Sequence, residues 1–220
     1  MKNWYELDVA VDDALTLDVR DYCLSHPDTE GVTQIWVPGV AGVWLLDGPD
    51  LFNPDWVAMI EERLDLSVTG ALVFFRTAGY QHPSAHIDIE PDDERDDPRL
   101  LPVSAGYNWV LEPTDAEMVW YEPWWDAEDY EQCLQAVQQG RSFDAVAVGD
   151  LAYNETPVSQ LEEVGRHRLS ESCLTMVRTN LPHNVHMGSK DRWCISARAF
   201  ESTPGLWSGA RDKVEAAILR

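Results

Sequence analysis

The residues predict an α+β protein that is mainly β, an antiparallel jelly-roll or sandwich core with helices at its flanks. Three observations carry this. From Leu72 onward, short runs of β-branched and aromatic residues follow one another between Pro, Gly and Asp turns. Helical spacing of apolar residues is confined to a few segments. The 220 residues, 45% of them hydrophobic and ten of them tryptophan, suit one folded domain with a sizeable core.

Taken in order, "VDDALTLDVRDYCLSH" carries acidic residues early and apolar ones at helical spacing, which predicts a helix. "GVTQIWVPG" and "AGVWLLDG" read as strands between glycine turns. "NPDWVAMIEERL" opens with an Asn N-cap and a Pro at the first helical position, so it reads as a second helix. Residues 1–71 thus form a helix and strand support. The strands of the core, over 72–200, are "ALVFFRT", "AHIDIE", "SAGYNWVLE", "EMVWYE", "SCLTMVRTN" and "RWCISARAF". "DAEDYEQCLQAVQQG" interrupts them as a helix ending at Gly140, and "LPHNVHMGSKD" joins the last two strands. "SGARDKVEAAILR", within 201–220, closes the chain as a terminal helix.

Composition narrows the function classes. The net charge of −23 repels a phosphate backbone, which disfavours duplex nucleic acid and suits a cationic substrate electrostatically. No apolar run reaches the roughly 20 residues that cross a bilayer, and the N-terminus lacks the layout of a signal peptide, so a cytoplasmic protein is expected. Cys23, Cys133, Cys173 and Cys194 are scattered with no CxxC pair and read as reduced thiols. "EPDDERDD" reads as a solvated acidic loop.

The chemistry is carried by "AHIDIEP". Alternation along a strand puts His86 and Asp88 on one face and Ile87 and Ile89 on the other. An imidazole and a carboxylate that close together are two metal ligands in search of a third. His26 and His82 lie in loops and His167 in a basic segment, which leaves His183 and His186. Two histidines and one carboxylate on one face make the facial triad of non-haem Fe(II) oxygenases, with open positions for other ligands.

"HID", followed far along the chain by "PHNV" and by Arg192 nine positions after His183, resembles the HxD…H…R signature of 2-oxoglutarate/Fe(II)-dependent dioxygenases. The resemblance covers Leu72–Phe200 and implies a double-stranded β-helix, the cupin-like form of the jelly roll. It implies His86, Asp88 and His183 as iron ligands, with His186 the alternative to His183. Arg192 would pair with the far carboxylate of 2-oxoglutarate, since a planar guanidinium grips a carboxylate through two parallel bonds. Arg198, six residues on and on the same face, is the other candidate anchor. Many members carry serine two places after the arginine, where this chain has Cys194. Asn108 in "GYNWV" would offer the cosubstrate a polar group, with alternation sending Tyr107 and Trp109 the other way. Arg76 and Tyr80 are further pocket candidates, and Trp124 and Trp125 candidates for a substrate wall.

The implied activity is hydroxylation of a small molecule or of an amino-acid or protein side chain by Fe(II), 2-oxoglutarate and O2. An intact Asp88 favours hydroxylation over halogenation. Two alternatives remain open: a cupin-like metalloenzyme that does not use 2-oxoglutarate, and a non-catalytic barrel that binds a partner.

Overall fold

The computed structural model describes residues 2–7, 13–27, 33–46, 58, 61–62, 64–86, 88–91, 100–102, 105–112, 114–123, 156–168, 173–200 and 207–218. In chain order these form β1 (Trp4–Leu7), α1 (Asp13–Ser25), β2 (Thr33–Val37), β3 (Ala41–Leu46), β4 (Ser67–Arg76), β5 (Ser84–Ala85), β6 (Ile89–Pro91) and β7 (Leu100–Pro102). There follow β8 (Ala105–Val110), β9 (Glu117–Tyr121), β10 (Thr156–Pro157), a 3-10 turn (Val158–Gln160), β11 (Glu163–Arg168), β12 (Leu174–Arg178), β13 (His183–His186), β14 (Arg192–Phe200) and α2 (Trp207–Ile218).

Two antiparallel sheets make the core. The larger runs β1-β12-β8-β14-β4-β3-β2 and the smaller β11-β9-β13. A bridge between His86 and His183 lays the end of β5 beside β13 and so widens the smaller sheet. The chain passes from β4 in the large sheet to β5 in the small one, back to β8, across to β9 and β11, back to β12, across to β13 and back to β14. That repeated crossing winds two sheets into one barrel, a double-stranded β-helix.

Strand alternation gives the large sheet two different faces. One carries Val73, Tyr107, Trp109, Leu174, Met176, Trp193 and Ile195, all buried in a single cluster with Val19 and Cys23 of α1 and Trp207, Ala210 and Val214 of α2. The two helices cover this face because their apolar residues recur at i, i+4 and i, i+3, i+7. Each large aliphatic or aromatic side chain so buried contributes about 1.5–3 kcal/mol. Trp44 fits only because Gly42 has no side chain: a Cβ there would lie 2.2 Å from Cη2 of Trp44. The opposite face looks into the barrel, where Val110 and Val177 meet Met118 and Trp120 of β9.

Several elements differ from the sequence reading. "LPHNVHMGSKD" is not a plain connector; it contains β13, paired with β9 along its length. "AHIDIE" is not one strand: β5 ends at Ala85, His86 stands in an isolated bridge, and β6 begins at Ile89. β1 and β11 are strands that the sequence did not announce. Ala58, Glu61, Glu62 and Leu64 are helical, as expected there. The predicted helix over 126–140 and the acidic stretch over 92–97 lie outside the described residues, as do Ile87, Cys133, Trp124 and Trp125. Cys23, Cys173 and Cys194 are free thiols. Among the described residues no helix is long and apolar enough to cross a membrane.

Candidate metal centre

His86, Asp88 and His183 meet at one end of the barrel, each offering a ligand atom, with all three atoms within 4.8 Å of one another. The backbone sets this up. His86 and His183 face each other across the antiparallel bridge, so their rings stand side by side with centroids 4.7 Å apart. The Asp88 amide donates to the Thr179 carbonyl at 3.1 Å, which ties the carboxylate to the end of β12. Asp88 Oδ1 then lies 3.6 Å from His86 Nε2 and 3.5 Å from His183 Nε2.

The protonation states suit a cation. His183 Nδ1 faces the Leu181 carbonyl at 2.9 Å, which assigns the proton to that nitrogen and leaves Nε2 as a lone pair aimed at Asp88. The His86 side chain keeps 45% of its surface open, while protein crowds its other sides. Desolvation, reinforced by the adjacent His183 ring and opposed by Asp88, pushes its imidazolium down to about 4. It is therefore neutral at pH 7, as a metal ligand must be. Cis ligands on an ion with bonds near 2.1 Å sit about 3 Å apart, so the observed spacing fits a first-row divalent ion after a small inward adjustment.

Of the two histidines left open by the sequence, only His183 joins this group. His186 Nε2 instead pairs with the Tyr121 hydroxyl at 2.8 Å. His82 stays close, its ring 6.4 Å from that of His86, with Nδ1 turned to the Ser84 carbonyl.

Below the triad the barrel interior is polar. Thr175, Asn108 and Ser196 stand in register across β12, β8 and β14 and are all buried. Asn108 Oδ1 and Thr175 Oγ1 have no hydrogen-bond partner. Tyr107 and Trp109 lie on the helix-covered face, as alternation requires. On the same face of β14 as Ser196, Arg192 is 4% exposed, and its Nε has no partner. It stands opposite Arg76 in the β14–β4 register. The Arg76 guanidinium carbon lies 5.8 Å from the centroid of the Tyr80 ring. Arg198 lies opposite Gly70, next to a bulge, and its side chain is outside the described set. Thr175 and Ser196 were missed in the sequence. Ser196 shares the parity of Arg192 and could have been found that way, whereas Thr175 sits in "CLTMV" with no distinguishing signal.

The turn from β13 to β14 is held firmly. Asp115 accepts from the Ser189 amide at 2.8 Å, the Ser189 hydroxyl at 2.7 Å and the Lys190 amide at 3.1 Å. Asp191 accepts from the Ala78 amide at 2.8 Å, and the Gly79 amide donates to the Gly188 carbonyl at 2.8 Å. These bonds brace the turn that leads into Arg192 against the loop that follows Arg76.

Fold and site together define a double-stranded β-helix protein with a His-Asp-His candidate metal centre at one mouth. Neither a family model nor a curated protein matches the chain. It is similar to a Pseudomonas putida prolyl-4-hydroxylase, at 11% identity and a TM-score of 0.42, over 90% of this chain and 91% of that one. It is also similar to a Trichoplax adhaerens prolyl hydroxylase in complex with a hypoxia inducible factor oxygen degradation domain peptide fragment, at 10% identity and a TM-score of 0.47, over 97% and 86%. A third is HygX from Streptomyces hygroscopicus with nickel and 2-oxoglutarate bound, at 15% identity and a TM-score of 0.40, over 89% and 81%.

Proposed function

We propose that the protein is an Fe(II)- and 2-oxoglutarate-dependent oxygenase that hydroxylates a small molecule or an amino-acid or peptide side chain. The observation that carries this reading is the convergence of the ligand atoms of His86, Asp88 and His183 within 4.8 Å of one another in a double-stranded β-helix. Bound there, ferrous iron would supply the redox chemistry that couples oxidative decarboxylation of 2-oxoglutarate to insertion of oxygen into a C–H bond.

The chain's own residues do the rest. His86 Nε2, His183 Nε2 and an Asp88 carboxylate oxygen would hold the ion, and three protein ligands would leave it open to the cosubstrate and oxygen. The Leu181 carbonyl holds the His183 ring in the tautomer that binds metal. Arg192, charged and buried, receives the far carboxylate of 2-oxoglutarate, and its orphaned Nε is satisfied by that partner. Asn108 lines the same chamber, with Oδ1 awaiting a donor. Arg198 remains the alternative anchor on the same strand. Val110, Val177 and Trp120 pack the interior beside this chamber and limit the water in it.

Incubation with Fe(II), 2-oxoglutarate and O2 tests the reading directly. Succinate and CO2 should form slowly without an added substrate, and formation should stop in Asp88→Ala. Protein that binds Mn(II) at the triad yet neither binds nor turns over 2-oxoglutarate would leave the metalloenzyme and sink the oxygenase.

A further inference from the structure

We propose that Arg76 is a second guanidinium of the cosubstrate pocket, closing with Arg192 on the same far carboxylate and so making the protein selective for a 2-oxo acid that carries one. This deepens, and rests on, the oxygenase reading above.

The β4–β14 ladder sets the two arginines side by side: Arg76 and Arg192 are Cα partners in an antiparallel pair, so both side chains leave the sheet on its interior face. Their neighbours along each strand confirm the face. Phe75 and Trp193, one step away, pack on the helix-covered side. Two cationic side chains that start directly opposite each other repel. Burial lowers the Arg76 pKa, and the charge of Arg192 lowers it further.

The Tyr80 ring, 5.8 Å from the Arg76 guanidinium carbon, offsets this only in part. Among the described residues no carboxylate lies within ion-pair distance of either guanidinium, although the chain has 39 acidic residues. Arg76 spends only Nη1, which donates to the Gly42 carbonyl at 3.2 Å and the Phe75 carbonyl at 2.7 Å. Those two bonds pin the plane of the guanidinium, and no described residue takes up its Nε or Nη2. Arg192 is nearly fully buried with Nε unpartnered. Two guanidiniums on one face of neighbouring strands, with no described carboxylate beside either, are the complement of one oxyanion that both can share.

The two arginines also separate the site from the molecule's average. The −23 net charge suits a cationic partner at long range, while the chamber itself is built for an anion.

The test is calorimetry on Mn(II)-loaded protein with 2-oxoglutarate and with 2-oxobutyrate, which lacks the far carboxylate. Wild type should prefer 2-oxoglutarate strongly. Arg76→Gln should weaken 2-oxoglutarate by about tenfold or more and leave 2-oxobutyrate unchanged. Arg76→Lys, which keeps the charge and loses the fork, should fall between them. Unchanged Mn(II) affinity in each variant certifies an intact fold. If Arg76→Gln leaves 2-oxoglutarate within about twofold, or weakens both acids equally, Arg76 is a structural residue and the proposal falls. Wild type that binds Mn(II) but no 2-oxoglutarate overturns the oxygenase reading instead. Glutarate binding to the metal-free protein, followed by tryptophan fluorescence, then decides the pair on its own. Binding that vanishes in Arg76→Gln supports it, and binding that is absent or indifferent to that change overturns it.

Discussion

His86 and His183 exchange both of their backbone hydrogen bonds, the His86 amide reaching the His183 carbonyl at 3.1 Å and the reverse bond measuring 2.9 Å. A reciprocal pair of this kind fixes the separation of the two Cα atoms, and with it the spacing of the imidazoles above them. The site's geometry therefore depends on a ladder more than on side-chain rotamers. A ligand placed three residues further along the same strand, at His186, is carried out of reach.

This gives the first prediction. His183→Ala should raise the Kd for Mn(II) by about a hundredfold or more, as expected for a lost ligand. His186→Ala should leave it within about twofold and lower stability by about 1 kcal/mol through loss of the Tyr121 bond. Mn(II) calorimetry and urea denaturation on both variants check this, and equal losses of affinity would refute the assignment.

The second concerns Asp115 and the turn beneath the arginines. Hydrogen bonds from Ser189 and Lys190 pull its carboxyl down to about 2, below the roughly 3.9 of an unfolded chain. A group with a depressed folded pKa stabilises the protein in its ionised form. That contribution is complete above about pH 4 and is lost as pH falls toward 2. In urea melts across this range, the stability gap between wild type and Asp115→Asn should close at the acid end. A gap of constant size would show that the ionised carboxylate is not the source. Gly188→Ala should cost about 1–3 kcal/mol at neutral pH, because its Cβ would lie 2.3 Å from the Asp115 carboxyl carbon.

Asn108 offers a third. Its Oδ1 is buried without a partner, so the metal-free protein bears the desolvation of that atom. Asn108→Val should stabilise the metal-free protein by about 1 kcal/mol while weakening 2-oxoglutarate binding. Denaturation and calorimetry read the two effects separately. A variant both less stable and unchanged in binding would mean that Asn108 serves packing alone.

Much of the site could be read from residues because its signals are local. "HID" needs only three positions, and the parity of "RWCISAR" already puts Arg192 and Ser196 on one face. The strands of the large sheet announce themselves by apolar composition. What stayed hidden depends on partners distant in sequence. β13 in "HNVH" has too few apolar residues to read as a strand, and becomes one only because β9 pairs with it along its length. β11, "EVGRHR", is mostly polar and half-exposed, and is extended for the same reason. Position 76 drew attention for its arginine, but its register opposite Arg192 follows from no spacing along the chain.

The order in which the strands are laid down has a consequence for biosynthesis. The Tyr5 hydroxyl donates to Glu215, 210 positions away, and the Ala78 amide to Asp191, 113 positions away. β4 leaves the ribosome long before β14, its neighbour in the wall, exists. Until then its apolar residues and the edge that β14 will cover lack their partner, so slow assembly is built into the winding itself.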